Sequence, residues 1–146
     1  MSSWKDFVQS EPEMAQFGKN RFLKEVAYLG TIRKNGYPRV HPVTPILSPD
    51  NLFLFMEPTS PKGKDLIRNG LYSLHSLIIK PSGEEGEFWI RGTAQKIENE
   101  KLRSEAIENA TYNPADRYIL FQLLIEEAGG TVYENGTPNF KRWKPN

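Results

Sequence analysis

The sequence predicts a mainly β fold, a small antiparallel barrel with helices at its edges. Three observations predict it. Short runs of β-branched and aromatic residues recur along the chain. The pairs Asn35-Gly36 and Asn135-Gly136 mark tight hairpin turns between such runs. Two helical stretches are interposed among the strands, which suits a closed or nearly closed sheet with helices at its rim. With 146 residues and neither an internal repeat nor a low-complexity linker, the chain is expected to form one domain, 1–146, with a continuous core.

In order, Ser10-Glu11-Pro12-Glu13 fits a capping box with a proline in the first turn, opening a helix to about Lys24. That helix would bury Met14, Phe17, Phe22 and Leu23; a short helix around Trp4–Val8 has a weaker signal. Strands follow at Val26–Ile32, Arg39–Leu47 and Leu52–Met56, joined by turns at Asn35-Gly36 and Pro49–Asn51. Prolines 42 and 45 each remove a ladder donor from the second strand. Two readings stay open there: an edge or bulged strand, or one whose backbone is turned toward a ligand. Ser60-Pro61-Lys62-Gly63-Lys64-Asp65-Leu66 opens a short helix.

Leu71–Ile79 is a further apolar run, and Gly83 to Glu87 a polar turn. Phe88–Ile97 alternates, with Phe88, Ile90, Gly92 and Ala94 on one face. Asn99 to Ala110 has helical spacing, placing Leu102, Ala106 and Ile107 toward a core. Asn113-Pro114 fits a cap or turn. Tyr118–Ile125 reads as a strand buried on both faces or at a subunit interface, with a buried helix as the alternative. Gly129-Gly130 reads as a break before Thr131–Tyr133.

Nineteen basic against eighteen acidic residues leave a charge of +1, with no basic stripe of the kind that binds nucleic acid; Lys141, Arg142 and Lys144 read as a solvated tail. The absence of cysteine excludes disulfides, thiolate metal sites and a cysteine nucleophile, and two histidines are too few to suggest a zinc site, so no metal is expected. Neither a membrane-length apolar run nor a secretory signal is visible, which leads to a cytoplasmic expectation. Gly63-Lys64-Asp65 is no phosphate-binding loop, since serine or threonine and the upstream glycine are missing. No dinucleotide glycine fingerprint and no serine nucleophile elbow occur. Glu84-Glu85 and Glu126-Glu127 flank glycine turns and read as surface.

What remains is the start of the helix after Ser60. Unpaired N–H groups and the helix dipole favour an anion there, and Lys62 and Lys64 are mildly misplaced without one. Solvated lysines are the competing reading. Arg39 and His41 could add donors from the preceding strand, although a lone histidine is more often a structural hydrogen-bonder, and His41 is read that way.

These residues carry a resemblance. Val26–Ile32, Gly36-Tyr37-Pro38-Arg39-Val40-His41-Pro42-Val43 and the Ser60–Leu66 segment resemble the pyridoxamine 5'-phosphate oxidase-like family, in its short, general-stress-protein-like branch. The likeness extends through Phe88–Ala94 to Trp143-Lys144-Pro145. It implies a split antiparallel β-barrel and a homodimer with FMN in clefts between subunits. It further implies that Arg39 and Lys62 hold the FMN phosphate, with Ser60 and Lys64 as neighbours, and that His41, Pro42, Val43 and Thr44 pass along the isoalloxazine ring. Glu87, Trp89 and Trp143 fall near positions that complete the cleft across the dimer.

The chain also departs from the family pattern. Pro61 stands where relatives with true oxidase activity carry an arginine, and the C-terminal arginine- and histidine-bearing segment that grips their substrate is missing. Oxidation of pyridoxamine phosphate is therefore not expected. The resemblance leads to an FMN-dependent oxidoreductase whose flavin carries the hydride chemistry, with no general base identified. A non-catalytic flavin carrier or sensor is the alternative, and a barrel binding deazaflavin or haem is a third possibility.

Overall fold

The computed structural model describes residues 1–23 and 26–146. Two abutting helices, α1 (Trp4–Ser10) and α2 (Pro12–Phe22), lead into an eight-stranded antiparallel sheet. Its strands are β1 (Ala27–Ile32), β2 (Pro38–Val43), β3 (Ile46–Leu47), β4 (Leu52–Met56), β5 (Leu71–Ser76), β6 (Glu87–Ile97), β7 (Ile119–Glu134) and β8 (Thr137–Trp143). Helix α3 (Pro61–Arg68) links β4 to β5, and α4 (Glu100–Asn109) links β6 to β7. The strand order is β2-β1-β5-β6-β7-β4-β3, with β8 on the far half of β7, so the sheet curls without closing.

The helices start where local chemistry lets them. Ser3 and Asp6 form a reciprocal capping box on α1, Asp6 N–H donating to Ser3 Oγ and Ser3 N–H to Asp6 Oδ2. The box expected at Ser10 is not formed. A single residue separates α1 from α2, so Ser10 is still inside α1; Glu11 caps α2 without a side-chain bond. Leu23 is exposed, and the expected helix end at Lys24 lies outside the described residues. Ser60 caps α3 by accepting from Gly63 N–H at 3.1 Å, and Asn99 caps α4.

The strand expected over 39–47 is divided. β2 ends at Val43, Thr44 and Pro45 lie outside any ladder, and Ile46–Leu47 pairs with β4 at the opposite end of the strand order. Pro45 accounts for the break, since it cannot donate to a ladder, whereas Pro42 is tolerated inside β2 because β2 is an edge strand. Gly129-Gly130 does not break β7. Trp89 lies against Gly129 and the Glu87 carbonyl against Gly130, so absent side chains let two strands close up. The apolar run at 71–79 is shorter as a strand than expected, ending at Ser76 with Ile78 and Ile79 exposed. Ile107 likewise faces solvent, being 44% exposed.

Two apolar clusters hold the sheet. The larger is centred on Phe88, whose ring meets Trp4, Phe7 and Phe22 from the N-terminal helices. The smaller joins Ile46, Phe53, Phe55, Ala106 and Leu120 beneath α4. Phe88, Ile90, Gly92 and Ala94 face inward as the alternation predicted. No described helix is long and apolar enough to cross a membrane.

Candidate functional site

The end of β2, the end of β4 and the first turn of α3 meet at one cleft of about 340 Å³. Pro42, Val43, Thr44, Phe55, Met56, Glu57 and Lys62 line it, with Tyr112 and Tyr118 from the α4–β7 connection. Val43, Phe55 and Met56 are buried and supply an apolar wall. Because Pro42 and Pro45 have no N–H and β2 stops at Val43, Thr44 N–H is a backbone donor outside the ladder. At the helix start, Pro61 has no N–H and Ser60 takes up that of Gly63, which leaves Lys62 N–H as the first-turn donor. Lys62 makes no ion pair within 4.0 Å among the described residues.

Arg39 does not share this cleft. Its Nε donates to Asp65 Oδ2 at 2.8 Å, and its side chain lines a neighbouring basic cleft of about 410 Å³ with Arg33, Lys34, Lys64 and Arg68. Arg39 and Lys62, expected to hold one anion together, thus line two different clefts. The reason is Asp65, which is only 3% exposed. Thr31 Oγ1 also donates to its Oδ2, and Arg68 Nη2 to its Oδ1, each at 2.8 Å. Burial pushes the carboxyl's pKa up, but the hydrogen bonds from Arg39, Thr31 and Arg68 outweigh it and hold the group below the usual 3.8. Arg39 and Asp65 thus fasten α3 to the β1–β2 hairpin.

The other expected site residues are spread out. Ser60 is a helix cap. Leu29 pairs with His41 across the ladder; His41 is half-buried, on the strand face of Arg39 and Val43, and is not among the residues lining the cleft. Glu87 lies 3.2 Å from His75 Nε2 and accepts from Thr131 Oγ1, on the sheet face opposite Phe88. On that same face Trp89 lies between Arg91 and Arg142, whose guanidinium carbons are 4.6 and 5.9 Å from its ring centre. Glu127 pairs with both arginines. Trp143 packs against α1, its Nε1 donating to Ser10 Oγ and its ring 4.9 Å from Phe7.

Sequence reasoning missed Tyr112, Tyr118 and Glu57. Their segment is held from two sides. Arg103 on α4 donates to the carbonyls of Tyr118, Asp116 and Ala115 and lies over the Phe55 ring. Arg117 makes a forked pair with Glu57. Burial, and secondarily the neighbouring Tyr118, push the Tyr112 phenol up, so it stays a neutral donor at ordinary pH. Only the Asn113-Pro114 turn hinted at this loop, and nothing in it pointed to residue 57.

The chain is similar to a heme-binding protein from Mycobacterium smegmatis, at 15% identity and a TM-score of 0.69, covering 88% of this chain and 57% of that one. It is similar to a protein from Listeria innocua provisionally named a pyridoxamine 5'-phosphate oxidase, at 15% identity and a TM-score of 0.65, covering 82% and 95%. The chain has the split-barrel fold of the pyridoxamine 5'-phosphate oxidase-like proteins. A NimC/NimA family protein from Clostridium acetobutylicum shares this split barrel at 19% identity and a TM-score of 0.61, over 88% and 93% of the two chains. This chain thus spans little more than half the length of the mycobacterial protein. No protein-family model and no curated protein sequence matches it.

Proposed function

We propose that this split barrel binds FMN in the cleft between the end of β2 and the start of α3, and acts as an FMN-dependent oxidoreductase on a small molecule. The observation that carries the reading is the donor set at that cleft. An apolar wall of Val43, Phe55 and Met56 is bordered by Thr44 N–H, Lys62 N–H and a Lys62 ammonium that has no ion pair among the described residues. These groups fit a planar ring with an anionic tail. The wall takes the ring face, Thr44 the polar ring edge, and Lys62 with the helix start the phosphate. Arg39 and Lys64 belong to the adjoining basic cleft and add long-range positive potential rather than direct contact.

Bound flavin would supply hydride or electron transfer. The chain's part is to exclude water along the apolar wall and to hold positive charge near the ring and tail. The cleft is open on one side, and a homodimer in the manner of the resemblance would close it with Glu87 and Trp89 of a second copy. The same site without turnover would make the chain a flavin carrier or sensor. Visible absorbance of the purified protein after FMN addition, followed by a reduced nicotinamide, separates these: bleaching supports the oxidoreductase and stable colour the carrier, while failure to retain flavin overturns both.

A haem reading draws on the mycobacterial neighbour, which is described as heme-binding. His75 is engaged with Ser76 and Glu87, so His41 is the candidate axial ligand in that case. A Soret band on haem addition, lost in His41→Ala, would support it over flavin.

A further inference from the structure

We infer that Arg117, which stands outside the ligand cleft, sets the charge inside it by cancelling Glu57, and so decides how strongly Lys62 draws an anion. The inference rests on the reading that this cleft takes an anionic ligand. Glu57 and Lys62 both line the cleft, yet they form no ion pair with one another among the described residues. Glu57 is instead turned to Arg117. Arg117 Nε lies 3.1 Å from Oε1 and 2.9 Å from Oε2, and Nη2 lies 2.7 Å from Oε2. That fork geometry is the one arginine holds more tightly than lysine would.

A carboxylate beside the cleft's cation would otherwise work against anion binding in two ways. It would attract the Lys62 ammonium, and it would repel the incoming phosphate. Arg117 removes both effects without touching the ligand, so it is a positioning residue. Hydrogen bonds and charge from Glu57 push its guanidinium further up from an already high pKa, so the compensating charge is present at every working pH. The loop does not depend on Arg117 alone. Arg103 separately holds the carbonyls of Ala115, Asp116 and Tyr118, which allows the charge of Arg117 to be changed while the loop stays anchored.

The test reads the potential at Lys62 directly. The protein is labelled in parallel with a sulfonated, anionic acylating ester and with its neutral parent, and acylation at Lys62 is quantified by mass spectrometry. The ratio of the two rates reports local potential and cancels changes in exposure. Arg117→Gln should lower that ratio about two- to fivefold, the scale of one partly screened charge at cleft distances. Arg117→Lys, which keeps the charge but not the fork, should fall between wild type and Arg117→Gln, Glu57→Gln should raise the ratio, and the double variant Glu57→Gln/Arg117→Gln should return it to wild type. A ratio unmoved by Arg117→Gln and Glu57→Gln, or one still low in the double variant, overturns the inference. FMN affinity should follow the same order; a wild-type protein that binds no FMN overturns the functional reading and leaves the labelling result to decide this one.

Discussion

Asp65 shows how one residue can redirect others. Arg39 fits a phosphate ligand by type and position, but a buried carboxylate 26 positions on captures its Nε. Nothing in the local pattern signals that, because the pairing needs the β1–β2 hairpin and α3 to be folded side by side. Asp65→Asn should destabilise the fold by about 1.5–3 kcal/mol, the range for hydrogen bonds to charged groups, as measured by urea unfolding at neutral pH. Its folded pKa is depressed, so the carboxylate's contribution is fully present above about 3.8, and is lost as the pH falls through the lower folded value. The variant's stability should lack that acid-side decline. At the cleft itself, Lys62→Ala should weaken FMN binding by about 1.5–3 kcal/mol with unfolding unchanged. Equal affinity would return Lys62 to the solvated lysines.

At the scale of elements, β6 and β7 bind the two halves of the sheet. Their register shifts between Arg91 and Gly92, where Glu126 is the extra residue opposite. A Cβ on Gly92 would run into the Leu124 carbonyl. Gly92→Ala should therefore cost about 3 kcal/mol, at the upper end for overpacking, in denaturant unfolding. The hairpins and the inward face of β6 were legible in the sequence because alternation and Asn-Gly turns are local signals. Glycines 129 and 130 misled because the same residue type serves a turn and a close approach of strands. Arg39–Leu47 was legible as extended chain; its change of partner at Thr44-Pro45 was foreshadowed by the prolines, though not its destination. Tyr112 and Glu57 were illegible because α3, β5, β6 and α4 all lie between them in sequence, so only the folded sheet brings them together.

For the whole molecule, the outward face of β1, β2 and β5 carries Tyr28, Val40 and Leu71, with Val40 67% exposed. Charged and aromatic groups adjoin it on β6, Trp89 and Arg91 among them. An apolar sheet face with such a border suits a second copy of the chain. Light scattering should give a mass near twice 16.8 kDa, and Val40→Glu should return it to the single-chain value. If a second copy closes the cleft, the same variant should lose FMN affinity together with its dimer.

The measurement that bears most directly on the central claim is an equilibrium titration of the purified chain with FMN, followed by flavin fluorescence. Saturable quenching with a dissociation constant of about 1 μM or tighter is the predicted result, equivalent to roughly 8 kcal/mol of binding free energy. Flavin fluorescence unchanged up to about 1 mM, a level at which only about 4 kcal/mol of affinity would be needed, would contradict the account.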